Sequence, residues 1–588
     1  MTNSNIFRTF LAALNILLIT GRLYSQAYTG YTLYSPNNSR YSYLIDMNNQ
    51  TVKTWTHSVS GGYSCYLLED GSVLRSGNSS NSQLNGGGAT GIVQKYDWNG
   101  NLTWQYTYSS STYRSHHDIE PMPNGNVLII AWEVKSASQA VAAGLKRSIS
   151  IWPDHIIEVK PTGSTSGTIV WEWHAWDHLI QDYDATKLNY GVVADHPELL
   201  DINVGSTASG DWMHVNGLSY NADLDQIVFS SHNLDEFYVI DHSTTTQEAA
   251  THSGGTYGKG GDFLYRWGCP SNYRASGSQV FNVVHCSAWI PENCPGADNI
   301  LAFNNREGTG SSMVVEIKPP RNEDGSYSYT SGPFLPTSPE WTYSASGFYS
   351  NHLGGCQRLP NGNTIIVQST SGKMFEVSPT GTVVWTYTKG GEIVRALRYA
   401  PSYSGISVKV TPTATELFSG ESASFNASGG FTPYAWKVEP SDLGTISVSG
   451  STGTFTAEKV GEGRIFITST TGLDSAIATI KVKEIVEVQA EHTYLYGFSL
   501  AQNFPNPFNP TTEIQYSIKE QSQVTITIYN TLGELISTID EGPRASGIYT
   551  LTFNASDLPS GVYFYNLVAR VESSGEIFSK TNKMLLLK

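Results

Sequence analysis

Three histidines in this 588-residue chain hold the same place relative to a turn-linked pair of β-type runs. They are His117 in HDIEPMPNGNVLIIAWE, His214 in HVNGLSYNADLDQIVFSSH and His285 in HCSAWIPENCPGADNILAFNNRE. Two further stretches follow the plan with a difference: SCYLLEDGSVLRSG starts at Ser64, and in HLGGCQRLPNGNTIIVQST the histidine, His352, is two residues out of step. His232 ends the run QIVFSSH and falls beside His214 if that stretch folds as a hairpin. Imidazole is the side chain best suited to nucleophilic or acid–base work near neutral pH. A repeat that delivers several of them to equivalent places makes them converge in space.

The element that must position them is read from a second, interleaved phrase: an apolar strand, a polar turn, then a strand carrying Trp55, Trp104, Trp173, Trp267, Trp341 or Trp385. Two hairpins per copy make a four-stranded propeller blade, and the short alternating strands with Asn-Gly and Asp-Gly turns fit it. The first copy lacks an inner strand, and Glu392–Tyr399 (EIVRALRY) is placed to supply it and close the ring. Residues 27–402 therefore read as a six-bladed β-propeller in an all-β chain. Innermost strands face the central channel, which sets His117, His214, His285 and His352 around one mouth, with the Trp series as blade packing.

Length predicts two to four domains. Abundant Tyr (34), Trp (14) and Gly (55) with only 15% charged residues match an exported all-β protein. A net charge of −16 argues against nucleic acid or an anionic membrane as the main partner. Arg8, the apolar run Thr9–Thr20 and Leu23–Ala27 read as a secretory signal over residues 1–26, too short to span a bilayer. No other segment resembles a transmembrane anchor. Five cysteines allow at most two disulfides, with Cys286 and Cys294 the nearest pair in one predicted hairpin; small buried residues are the other reading. Residues 405–484, with alternating strands, a single Trp436 and no histidine, read as an immunoglobulin-like β-sandwich, and 485–498 as a linker. Gly258-Lys259-Gly260-Gly261-Asp262 lacks the spacing of a phosphate loop. His174 and His178 are four apart without an evident third ligand, and no metal or other cofactor is expected.

Residues 499–588 resemble the C-terminal sorting domain of the type IX secretion system. The resemblance rests on Asn503-Phe504-Pro505-Asn506-Pro507-Phe508-Asn509-Pro510, the Leu532-Gly533 turn and the Ser560-Gly561-Val562-Tyr563 turn. It implies a C-terminal β-sandwich that engages that machinery, and a secreted or cell-surface location. The segment DWMHVNGLSYNADLDQIVFSSHNLDEFYVIDHSTTTQEAA, followed by GGTYGKGGDFLYRWGCP and PGADNILAFNN, resembles the aryl-sulfate sulfotransferases. These are exported six-bladed propeller enzymes that move a sulfuryl group between phenols without a nucleotide donor. The resemblance spans about 60–400 and implies a small phenolic sulfate donor and a phenol acceptor as partners.

Residue by residue, the family's early histidine matches His117 in HHDIEPMPNGN, and its W-x-H-x-N motif matches His214 with Asn216. His232 stands where well-known members carry arginine, and His285 matches the transiently sulfurylated histidine. Relatives often read Gln-His-Asp-Ala-His-Trp where this chain reads Val284-His285-Cys286-Ser287-Ala288-Trp289, so an orienting Asp is replaced by Cys286. His232 keeps a possible cation but not the bidentate fork of arginine. Arg395, on the closing strand, is expected to supply one, with Asn216 and His352 as further substrate-binding residues. The implied chemistry is attack of a neutral imidazole on sulfur, expelling a phenolate and forming an N-sulfohistidine. His214, His232 and His117 would stabilise the developing charge or protonate the leaving oxygen. The residues alone leave open a metal-dependent hydrolase or lyase at the histidine cluster and a non-catalytic surface-binding propeller.

Overall fold

The computed structural model describes residues 26–81, 83–205, 210–484 and 497–588. The expected signal segment before Gln26 and most of the expected linker lie outside these residues. The apolar runs seen in sequence become middle strands covered on both faces. Val127–Glu133 is buried at six of seven positions and Glu236–Asp241 throughout, whereas the outer strand Gly167–His174 alternates. That gradient is what a blade packed between two neighbouring blades requires.

Six antiparallel four-stranded blades follow one another. Blades 3 to 6 start from the inner strands Tyr113–Pro121, Val215–Asn221, Val284–Trp289 and Gly355–Arg358 and add three strands each in sequence order. Blades 1 and 2 share the long strand Thr51–Leu67. Its first half pairs as the outer strand of blade 1 (Ser42 opposite Trp55), and its second half is the inner strand of blade 2 (Cys65 opposite Arg75). Blade 1 takes its inner strand from Ile393–Tyr399, paired antiparallel with Tyr31–Pro36 at Tyr31–Tyr399 and Leu33–Leu397. The ring closes as the sequence predicts. The six inner strands touch in cyclic order, so the edges each blade keeps are short ones at the channel and at the rim.

The repeated tryptophans staple blade to blade. The indole N–H groups of Trp55, Trp104, Trp173, Trp267 and Trp341 donate to Asp97 O, Ser166 O, Gly261 O, Pro336 O and Pro379 O, each in the next blade, at 2.7–3.0 Å. At the seam, the Arg398 guanidinium lies over Trp385, 4.4 Å from its ring centre. A sandwich of two four-stranded sheets follows, between Lys409 and Lys483, with Phe425, Phe455, Ile465 and Ile480 in its core. Phe431 from this sandwich joins Tyr31 and Trp55 of blade 1 in one apolar cluster. The C-terminal unit is a second sandwich of three and four strands around Ile514, Tyr516, Ile526 and Leu567. No helix among the described residues is long and apolar enough to cross a membrane.

The expected pairing of Cys286 with Cys294 is not formed, and all five cysteines are free and buried. Consecutive blades pack side by side, which sets the inner strand of blade 6 beside that of blade 5. Cys286 therefore faces Cys356, while Cys294 donates to Arg358 O.

Candidate active site

The inner strands of blades 3, 4 and 5 each break their pairing where they reach the channel. Register shifts fall between Ser115 and Ile119, between Val215 and Gly217, and between His285 and Ala288. Within or beside these bulges His117, His214 and Cys286 adopt positive φ angles of 49°, 55° and 54°. Side chains other than glycine rarely enter that region, and each such residue costs roughly 1–3 kcal/mol that the surrounding packing must offset. A bulge re-aims side chains off the sheet face, and here it gathers imidazoles. Ring centres are 4.6 Å apart for His117 and His214, 4.9 Å for His214 and His232, and 5.6 Å for His232 and His285. His117, His214, His232 and His285 form one continuous arc, so His232 rather than His352 completes the set expected around the mouth.

Three of the four imidazoles are oriented by an amide or carboxylate neighbour. Asn305 donates through its Nδ2 to Ser350 O and Leu353 O at 2.7 and 2.6 Å, so its Oδ1 must face His285 Nδ1, 2.6 Å away. An amide oxygen only accepts. His285 therefore carries its proton on Nδ1, and Nε2 is left with its lone pair free. Burial, with His232 adding to it, pushes the His285 imidazole well below its ordinary range, so this ring is neutral. Asn305, from the end of the partner strand, orients the ring where Cys286 stands in place of Asp.

His214 is the counterpart in charge. Burial opposes its protonation, but the Asp211 carboxylate, 2.5 Å from Nδ1, outweighs that and holds the imidazole above its ordinary range. Asp211 is itself fixed by the indole N–H of Trp132 at 3.0 Å. His232 Nδ1 lies 2.8 Å from Asn233 Oδ1, and Asn233 donates to Asp211 O at 2.9 Å, which sets that amide as well. Burial and the neighbouring His214 charge lower His232 to about 4. Within the arc, His214 is thus the ring most favoured to carry a proton, beside rings that burial disfavours from charging.

Glycines 86–88 cover part of the arc. A Cβ on Gly88 would lie 2.2 Å from His117 Nε2 and Cε1, and one on Gly87 3.2 Å from His214 Cε1. Gly88, at φ 75°, also accepts the His117 backbone N–H at 2.8 Å. Only backbone fits this close against the rings.

A small cavity below the arc is lined by His117, His285, Asn216, Tyr63, Cys286 and Arg395. Arg395 reaches it as expected, but its guanidinium is engaged: it donates to Asp118 Oδ2 at 2.7 Å, to Cys286 Sγ at 3.4 Å and to the Tyr66 hydroxyl. Burial, opposed by Arg395, raises Asp118 to about 6, and burial with the Asp118 charge raises Glu120 to about 8. Cys356 and Arg395 hold the Cys286 thiol below its ordinary value against burial. The Asn216 amide donates to Val284 O and accepts from the Ser230 hydroxyl, both at 2.7 Å, tying blade 4 to blade 5. His352 is outside the arc, exposed, and 3.0 Å from Glu392 Oε1.

His174 and His178 do not meet. His174 stacks on His155 and contacts Glu133, whereas His178 joins His252 and Asp262 in the one trio of metal-capable donors among the described residues. Its Nδ1 and that of His252 lie 2.7 and 2.8 Å from Asp262 Oδ1, hydrogen-bond distances. Sequence reading missed Asn305, Asp211, Asn233, Asp118 and His116. Asp211 alone carried a visible signal, three residues ahead of His214 within the DWMH run.

Two solved structures are similar to parts of the chain at low identity. A protein of unknown function from Bacteroides caccae is 11% identical over 63% of this chain and 98% of its own, with a TM-score of 0.34. Kuenenia stuttgartiensis hydrazine synthase is 12% identical over 49% and 67%, with a TM-score of 0.28. No curated protein matches. Residues 502–579 match the secretion system C-terminal sorting domain, which marks the chain for export to the cell surface or beyond. Residues 69–395, more than half of the chain and nearly the whole ring, match the arylsulfotransferase (ASST) family, to which this protein belongs.

Proposed function

We propose that the propeller transfers a sulfuryl group from a phenolic sulfate ester to a phenolic acceptor through a sulfurylated His285. The observation that carries the reading is the Asn305–His285 pair, which leaves an unprotonated Nε2 on a neutral, buried ring at the end of the histidine arc. In the first half-reaction His285 Nε2 attacks sulfur and the aryl oxygen leaves with the bonding pair. His214, cationic beside Asp211, faces the charge that spreads over the sulfuryl oxygens. His232 gains a proton and joins it when the bound anion offsets the His214 charge. His117 protonates the departing phenolate, and in the second half-reaction it takes the acceptor's proton. Asn216 and Arg395 shape the floor of the site, and His352 lies at its rim. The reading assigns the chemistry to residues 27–402, a spacer role to 405–484, and passage out of the cell to 499–588 through the type IX machinery.

The test is release of 4-nitrophenol from 4-nitrophenyl sulfate by the purified protein, with and without phenol. Phenol-dependent turnover that His285→Ala abolishes is the expected result. Acceptor-independent release would mean a sulfatase, loss of activity with chelator a metal-dependent enzyme, and silence in every condition a binding module.

A further inference from the structure

Behind His117 stands a line of buried groups that the transfer as described does not use. His116 Nδ1 is 2.8 Å from His117 Nδ1, and His116 Nε2 is 2.8 Å from Asp154 Oδ1. All three residues are nearly inaccessible. The His116 ring is clamped flat on Trp132, with centres 3.9 Å apart and planes at 12°. Two successive residues on a regular strand would point to opposite faces, and the left-handed backbone at His117 is what lets the two Nδ1 atoms meet.

The chemistry of the site calls for such a line. A neutral imidazole that gives up Nε2–H without gaining a proton at Nδ1 is left as an anion, so His117 alone is a poor acid. We propose that Asp154 and His116 form a proton relay that resupplies His117, making them positioning residues for the acid–base step. The proposal rests on the transferase reading given above.

His116 Nε2 and Asp154 Oδ2 are both buried without a hydrogen-bond partner, with Oδ1 of the same carboxyl 2.8 Å from Nε2. In the relay the protonated Asp154 carboxyl turns to donate to His116 Nε2, His116 Nδ1–H donates to His117 Nδ1, and His117 presents Nε2–H to the cavity. When the donor reacts, the N–S bond to His285 forms and the S–O bond breaks with its pair on the phenolic oxygen. That oxygen takes the Nε2 proton of His117. The Nδ1 proton of His116 moves to His117, the Asp154 proton moves to His116 Nε2, and Asp154 is left as a carboxylate. The acceptor phenol reverses each move: its proton enters at His117 Nε2, its oxygen bonds to sulfur, and the N–S pair returns to His285. No proton is gained or lost over the cycle. Burial, reinforced by Asp211, pushes Asp154 well above the usual carboxylate range, and burial holds His116 and His117 well below the imidazole range. The stored proton thus sits on Asp154 rather than as an imidazolium. The other charged or titratable groups around the line are His214 and Asp211 from blade 4, Arg114 beside His116, and His232 and His285 across the mouth.

Asp154→Asn tests this, because the amide can reach His116 Nε2 as the carboxyl does but can neither give nor take a proton. A 4-nitrophenolate leaving group needs little protonation, so its release in the first turnover should stay within about threefold of wild type. Phenyl sulfate, with a far more basic leaving oxygen, should slow about a hundredfold. Equal losses for both donors, or no loss with either, would overturn the relay. If wild-type protein shows no burst and no modified His285, the transferase reading has failed instead. Should Asp154→Asn not fold, the wild-type rate with phenyl sulfate in H2O–D2O mixtures decides. A bowed dependence reports several protons in flight, and a linear one contradicts the relay.

Discussion

Asn305 never touches substrate in this account, yet it decides whether His285 is a nucleophile. Asn305→Ala removes the acceptor 2.6 Å from Nδ1. The ring then has two flips and two tautomers, of which one combination in four presents a lone pair to sulfur, worth about 0.8 kcal/mol. The lost hydrogen bond matters more as the imidazole gains positive charge on attack, where such bonds are worth about 2 kcal/mol. Together these come to about 3 kcal/mol, or roughly a hundredfold in the first-turnover rate. The assay is stopped-flow release of 4-nitrophenol without acceptor. The truncation also leaves Ser350 O and Leu353 O without donors, costing about 1–3 kcal/mol of stability, so folding is checked by near-UV circular dichroism. Asn305→Asp separates orientation from stability: the carboxylate holds the ring but raises its affinity for protons. Its activity should approach wild type at alkaline pH and fall as Nε2 protonates on acidification. A first turnover in Asn305→Ala within about threefold of wild type would refute the reasoning.

His214 must be charged to face the sulfuryl oxygens, and Asp211 keeps it so; kcat/KM should fall at alkaline pH, and Asp211→Asn should move that limb to lower pH, read from a pH–rate profile. Gly88→Ala sets a methyl 2.2 Å from the His117 ring at a φ of 75°, and should cost roughly a hundredfold in kcat/KM, whereas Gly87→Ala, 3.2 Å from His214, should cost less than about tenfold. His242, where burial is outweighed by Asp225 and Glu158, is raised to about 9. Its stabilisation should be complete below about pH 6.5 and vanish as pH rises through 9, so the thermal melts of wild type and His242→Gln should differ by about 1–3 kcal/mol at pH 6 and converge at pH 10.

The ring was legible because its parts repeat: six tryptophan strands, turn-punctuated hairpins, and a first blade missing the strand that Ile393–Tyr399 provides. The arc followed, since three histidines share one place on inner strands. The orienting groups escaped because each arrives by a route that sequence spacing does not encode. Asn305 is twenty residues from His285 and reaches it only through the register that sets His285 opposite Phe303. Regular alternation turns His116 away from His117, and only the left-handed residue undoes that. Arg395 was placed correctly in the cavity, but nothing in the chain order announces that Asp118, on the inner strand of blade 3, neutralises it. Cysteine proximity along the chain picked Cys294, while the packing of blade 6 against blade 5 brought Cys356.

The central claim is that sulfur passes through His285. The direct measurement is mass spectrometry of protein quenched at alkaline pH after mixing with 4-nitrophenyl sulfate in the absence of acceptor. The account predicts one sulfuryl group on the peptide containing His285, lost on acidification and on addition of phenol, and absent from His285→Ala. Turnover without any adduct, or an adduct on His214, His232 or His117 in its place, would contradict it.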